Sequence, residues 1–102
     1  MISGDLLRGH LETMVLATLE RGNAHGLAIL RRLEVAGCGA LRLKEGSLYP
    51  ALHRLEASGE VASRRDGKRC VYSLTATGRR RLDAARVEWR RFTEVIGGVL
   101  AA

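Results

Sequence analysis

Cysteine is nearly missing from this chain, with only Cys38 and Cys70 among 102 residues. Two thiols make no disulfide framework and their spacing fits no zinc motif, so a reducing, cytoplasmic setting is expected. Long apolar runs are missing too. No stretch approaches the roughly 18 consecutive apolar residues of a membrane-spanning helix, and the opening MISGDLLRGHLE lacks the basic-then-apolar order of a signal peptide. No membrane partner is expected. Catalytic signatures are equally scarce. The chain holds no glycine-rich phosphate loop ahead of a helix, no G-x-S-x-G and no H-E-x-x-H. One His near Tyr and Ser on a short helix lacks the third member of a triad. His10, His25 and Cys38 stand at none of the spacings of a metal site. The sequence therefore argues against an enzyme, a resident metal or a cofactor.

Acidic charge is the minority sign. Seventeen Lys and Arg against eleven Asp and Glu leave a formal charge of +6 and a pI near 10.3, a balance suited to a polyanion such as double-stranded DNA. The length fits one domain, which buries roughly two-thirds of its unfolded surface. Any long apolar surface beyond that core would favour a dimer.

The most informative stretch is 44–59, KEGSLYPALHRLEASG. Leu48, Leu52 and Leu55 recur at i, i+4 and i+7 and line one face of a short helix. Tyr49, His53 and Arg54 fall on its other faces. Ser47 is the expected N-cap, placing Pro50 in the first turn where its missing N–H breaks no bond, and Gly59 is the expected C′ residue. Upstream, 5–20 carries a helical stripe of Leu7, Leu11, Met14, Val15 and Leu19 behind Asp5 as N-cap. Gly22 stops it and Asn23 can cap the next helix, 25–36, with Leu27, Ile29, Leu30 and Leu33 apolar and Arg31, Arg32 and Glu34 toward water. Gly37-Cys38-Gly39 ends that helix. Leu41 and Leu43 alternate with Arg42 and Lys44 as a short extended segment.

After Gly59 the period changes. Residues 61–65 and 68–74 read as two strands around Asp66-Gly67, a dipeptide suited to a type I′ hairpin turn with positive φ at both positions. Arg64, Arg65, Lys68 and Arg69 crowd that tip. Thr75 is the expected N-cap of a last helix from about residue 76 to 96 or beyond, fraying at Gly97-Gly98. Leu82, Ala85, Trp89, Phe92, Ile96 and Val99 repeat there at spacings of 3, 4, 3, 4 and 3, a heptad seam holding the chain's one Trp and one Phe. Burying two such rings removes roughly 300–500 Å² from water, which favours a second copy of the chain as partner.

Three helices, a basic two-stranded ribbon and a long helix predict a mainly α fold with a small β-hairpin: a winged helix-turn-helix with a C-terminal dimerisation helix. Residues 1–75 would form the DNA-binding domain and 76–102 the dimerisation helix, together one compact unit. At this point the chain resembles the PadR family of bacterial transcriptional regulators. Gly46-Ser47-Leu48-Tyr49-Pro50-Ala51-Leu52-His53-Arg54-Leu55-Glu56 with Gly59 is similar to its recognition-helix signature. His25-Gly26 with Ile29, Tyr72-Ser73-Leu74-Thr75 with Gly78, and Glu88-Trp89-Arg90-Arg91-Phe92 resemble its second-helix, wing-end and C-terminal motifs. Leu27 departs from a tyrosine common after the His-Gly pair, and Cys70-Val71 from frequent basic and aromatic residues.

The resemblance implies a homodimeric winged-helix repressor or, less often, activator, in some members released by a planar aromatic or phenolic effector; the two-fold symmetry of such a dimer predicts a pseudo-palindromic operator. The residues expected to contact DNA are Lys44, Ser47, Tyr49, Pro50, His53, Arg54, Arg64, Arg65, Lys68 and Arg69, with Tyr49, His53 and Arg54 toward the groove and Lys44 and Ser47 toward phosphates. Leu82, Ala85, Trp89, Phe92 and Ile96 are expected at the dimer and effector surface. A competing expectation is an interaction module that binds a protein through the Trp89–Phe92 seam without DNA specificity.

Overall fold

The structure, a computed structural model, describes residues 9–41 and 43–102. Asp5, Leu7 and Arg42, which carried expectations above, lie outside the described residues. Four helices and a small three-stranded antiparallel sheet make up the described chain: α1 (Leu11–Glu20), β1 (Ala24–His25), α2 (Gly26–Ala36), α3 (Glu45–Ala57), β2 (Val61–Asp66), β3 (Arg69–Leu74) and α4 (Ala76–Ala101). The sheet order is β1-β3-β2. This is the winged helix-turn-helix that the sequence predicted.

The leucine edge of α3 drives the packing. Leu48, Leu52 and Leu55 are all fully buried, and they meet Leu16 and Leu19 of α1, Ile29 and Leu33 of α2, Val61 and Tyr72 of the hairpin, and Leu82 of α4. Each leucine or isoleucine so buried contributes about 1.5–3 kcal/mol relative to exposure. Gly59 ends α3 as expected, with φ +77°. The amide of Glu60 donates to the Leu55 carbonyl at 2.9 Å and that of Gly59 to Glu56 at 3.0 Å, the paired bonds of a Schellman cap.

Several local expectations change. Helix α3 begins one turn early, with Lys44 rather than Ser47 at the N-cap and no side-chain bond there, so Pro50 sits inside the helix. The carbonyl left without its amide belongs to Gly46, which is exposed and can be satisfied by water. His25, not Asn23, caps α2, its Nδ1 accepting from the Ala28 amide at 3.3 Å. Leu41, Leu43 and Lys44 are not in a strand; the short strand is at Ala24–His25, paired with Tyr72 and Val71. Arg32 is not simply solvated, since it donates to the Thr18 and Gly22 carbonyls at 3.1 and 2.8 Å and closes the end of α1.

The hairpin is present, but Asp66 pairs with Arg69 as the last ladder residue, leaving Gly67-Lys68 as the turn. Only Gly67 has positive φ there, at +65°, the pattern of a type II′ rather than a type I′ turn. Helix α4 runs through Gly97-Gly98 to Ala101 without fraying. Its Thr75 cap is as expected: Oγ1 accepts from the Gly78 amide at 3.1 Å and donates to the Gly59 carbonyl at 2.7 Å. Only the start of α4 joins the core. Gly78 lies directly on the Glu60 carbonyl, with no room for a Cβ, Leu82 is buried, and Arg86 holds Glu20 with two bonds at 3.1 and 2.9 Å. Beyond it Trp89, Phe92, Ile96 and Val99 are 54, 55, 41 and 69% exposed.

Candidate functional site

With Leu48, Ala51, Leu52 and Leu55 turned inward, helical geometry turns Gly46, Pro50, His53 and Ala57 directly outward. Three of these four are small or compact, which leaves the helix backbone accessible to a close-fitting surface, with the exposed His53 as the one large polar group on that line. Lys44 and Ser47 are exposed at the same end.

Both flanks of α3 are fastened. On one side Tyr49 is half-buried, its ring lying where a Cβ on Gly26 would stand. The Glu56 carboxylate on that side accepts from the Ser63 hydroxyl of β2. On the other side Arg54 Nε donates to Glu12 Oε2 of α1 at 2.9 Å. Glu12 also accepts from Arg81 of α4 at 3.0 Å, and Arg81 continues to Glu60. Burial pulls the Glu12 carboxyl upward, but the bonds from Arg54 and Arg81 outweigh it and hold the group below the usual carboxylate range. Tyr49 and Arg54 were both expected to face outward from α3. The fold places them at its edges, one against α2 and one tied to α1.

The wing supplies the charge. Arg64, Arg65, Lys68 and Arg69 are all exposed, and none forms an ion pair among the described residues. Cross-strand register puts Arg65 opposite Cys70 on the sheet face that also bears Tyr72, and Arg64 opposite Val71 on the other. Tyr72 itself is buried, and burial, assisted by its contact with Cys70, pushes its phenol up to about 12. Between the wing and the start of α2 lies a cleft of about 270 Å³, bordered by Tyr49 from α3, by Arg65, Lys68 and Arg69 from the wing, and by His25. The edge of α3 and the cationic tip of the hairpin therefore open onto one concave surface.

His25 and Glu12 carried no functional expectation from the sequence. Glu12 meets partners 42 and 69 residues away, contacts with no local signature. His25 belongs to the His-Gly motif, which marked the second helix but not its position beside Arg69, where Nη1 lies 3.2 Å from Nε2. Among the described residues no cluster of His, Cys, Asp or Glu could hold a metal, and no helix is long and apolar enough to cross a membrane. Of the seam residues, Leu82 is buried within the domain and Ala85 half-buried, whereas Trp89, Phe92 and Ile96 are exposed. The Trp89 and Phe92 rings stack at 5.6 Å and 20°, and His10 meets Trp89 edge-on at 5.7 Å.

Residues 15–84 match the family described as Transcriptional regulator PadR-like family. The chain is 41% identical over 83 residues to the transcriptional regulator Rv3488 of Mycobacterium tuberculosis (strain ATCC 25618 / H37Rv), over 72% of this chain and 71% of that one. A transcriptional regulator from Clostridium thermocellum, Cth-833, superposes with a TM-score of 0.90 at 29% identity, covering 96% of this chain and 97% of that chain. Bacillus subtilis PadR, solved in complex with operator DNA, shares the fold at a TM-score of 0.67 and 23% identity, over 76% of this chain and 47% of that chain. The family match runs from α1 through the wing into α4, across every element that builds the surface just described. The chain belongs to the PadR-like family, a family of transcriptional regulators and not of enzymes.

Proposed function

We propose that the protein is a homodimeric, sequence-specific DNA-binding repressor that occupies a pseudo-palindromic operator and is released by a planar aromatic or phenolic effector. The observation that carries this reading is the shared cleft: Tyr49 at the edge of α3 and three wing cations, Arg65, Lys68 and Arg69, without ion pairs among the described residues, open onto one surface. In this reading α3 enters the major groove with its Gly46–Pro50–His53 line toward the bases. The wing lies over the adjacent backbone, with Lys44 and Ser47 on phosphates. Base edges give sequence preference, while phosphate contacts supply position and much of the affinity. Bacillus subtilis PadR, which shares the fold, was solved in complex with operator DNA, which supports a DNA-binding reading of this surface.

The second copy is called for by α4. Stacked aromatics more than half exposed, continued by Ile96 and Val99, form an apolar stripe beyond the domain's own core. Residues 1–75 then act as the DNA-binding unit and 76–102 as the dimer helix, with Trp89 able to stack a flat effector between subunits. Two-fold symmetry places half-sites about 34 Å apart.

Footprinting on genomic fragments at near-physiological salt tests the proposal, with two symmetric protected half-sites as the expected result. Arg64→Ala should weaken binding to every fragment alike and reduce the slope of log K against log salt by about 0.9 per lost phosphate contact. Trp89→Asp should give a monomer in sedimentation. Uniform, salt-labile binding without a footprint, together with an intact dimer, would instead favour an interaction module. Trp fluorescence indifferent to a panel of phenolic and planar cationic compounds would remove the effector role.

A further inference from the structure

We propose that the cleft between the wing and the start of α2 is a seat for one phosphate group, and that His25 is a ligand in it alongside Arg69. The inference rests on the DNA-binding reading only for the source of that phosphate.

The imidazole of His25 is held between two donors. At Nδ1 the Ala28 amide approaches to 3.3 Å, and at Nε2 the Arg69 guanidinium approaches to 3.2 Å. A neutral imidazole has one acceptor nitrogen and one N–H, and a protonated one has no acceptor at all. Both contacts therefore cannot be hydrogen bonds at once. The amide of Ala28 lies in the first turn of α2, where it has no intrahelical acceptor, so capping assigns the lone pair to Nδ1. The proton then sits on Nε2 and points at a guanidinium, which has only N–H groups to offer. Two donors converge on one point without an acceptor between them.

The surroundings supply no remedy. Arg65 and Lys68 border the same cleft and add positive charge. Asp66, the cross-strand partner of Arg69, forms no ion pair with it. Gly26, without a side chain, admits the Tyr49 ring against the start of α2 and gives the cleft its floor. The axis of α2 directs its positive end the same way. An oxygen of a tetrahedral anion accepts from Nε2–H and Arg69 together and resolves the clash, while other oxygens remain for Lys68 and Arg65. A phosphate fits this donor set, as charge-assisted bonds to N–H groups are strongest with such oxygens.

A phosphate can come from the DNA backbone or from a free phosphorylated ligand, and the test separates them. His25→Asn keeps a side-chain oxygen for the Ala28 amide but removes the Nε2 donor. It should lower DNA affinity about tenfold on any sequence, as expected for loss of one bond to a charged group. A neutral methylphosphonate placed at one position in each half-site should weaken the wild-type protein more than it weakens His25→Asn, which has already lost its bond to that phosphate. Wild-type affinity for His25→Asn, or additive losses at every position, would overturn the seat while leaving the DNA reading intact.

In parallel, the His25 ring nitrogens of the wild-type protein are followed by NMR during titration with inorganic phosphate. This arm needs no variant to fold. A saturable shift, lost in Arg69→Ala, supports a seat open to free phosphate. No shift, with the non-additive DNA result, supports a seat filled by the backbone alone. If the wild-type protein binds no duplex, the DNA reading fails by itself; a saturable shift then still supports the seat, and its absence overturns it.

Discussion

Arg54 of α3 and Glu12 of α1 lie 42 residues apart and meet at 2.9 Å, and the same carboxylate receives Arg81 of α4. One acid thus ties together the helix proposed to read DNA, the first helix and the base of the proposed dimer helix. Partly exposed pairs of this kind contribute about 0.5–1 kcal/mol each.

Glu12→Gln should therefore lower stability by about 1 kcal/mol at neutral pH. Because the folded carboxyl titrates below its ordinary range, this contribution is complete above that range and disappears as pH falls through the folded value. Urea denaturation across the acid range should show the two proteins differing at pH 7 and the gap narrowing as pH falls below the ordinary carboxylate range. A gap that persists in acid would mean that the carboxylate charge is not what Glu12 contributes.

Tyr72 predicts the opposite limb. Its phenol is pushed up to about 12 by burial first and by Cys70 second, so the neutral form is favoured in the folded state. That contribution is present below about pH 10, the unfolded value, and is lost as pH rises through 12. Tyr72→Phe should remove this component, worth about 2–3 kcal/mol at full ionisation. Alkaline denaturation of the two proteins, compared across that window, measures it. Parallel curves would rule Tyr72 out as the source.

Two glycines should respond in opposite directions to alanine. At Gly78 a Cβ meets the Glu60 carbonyl oxygen, which is backbone and cannot swing away. Gly78→Ala is expected to cost about 2 kcal/mol and to disturb the junction of α3, wing and α4. At Gly46 nothing stands within 4 Å, and Gly46→Ala in the first turn of α3 should stabilise by about 0.5–1 kcal/mol. Thermal melts of the pair decide both, and equal effects would contradict the packing described.

The end of α2 carries a correctable strain. Cys38 sits at φ +53° in the C′ position, where Cys38 and Gly39 amides close a Schellman cap on Val35 and Glu34. A residue with a Cβ is disfavoured there. Cys38→Gly should stabilise by about 0.5–1 kcal/mol despite the added freedom of the unfolded chain, and Cys38→Val should do the reverse. Denaturant midpoints that rank the three proteins otherwise would refute this.

The sequence made legible whatever is written in local chemistry. The Leu48–Leu52–Leu55 edge, the Gly59 and Thr75 caps and the presence of a hairpin follow from spacing and conformational preference, whereas its turn falls one residue later than Asp66-Gly67, at Gly67-Lys68. What escaped was set by distant partners. Ala24–His25 is a strand only because β3 offers its edge, and two residues have no period to read. Lys44 displaces Ser47 as cap although it offers no side-chain bond, so the start of α3 is not fixed by capping chemistry. Arg54 and Tyr49 read as outward groups until Glu12 and Gly26 arrive from elsewhere in the chain.

Thr75 gives α4 a mechanical character. Its hydroxyl joins the end of α3 to the start of α4, so the helix is clamped at one end while its far turns reach beyond the domain. Beyond Arg86, which is held to Glu20, the rest of this 26-residue helix makes a free arm of about 22 Å, and a tilt of about 5° at its base carries the tip about 2 Å. In the proposed dimer two such arms work as the legs of a pair of calipers. On the proposed reading, a flat molecule slipped between the legs at Trp89 would change the opening at the points, and with it the distance between grooves that the two α3 helices can span.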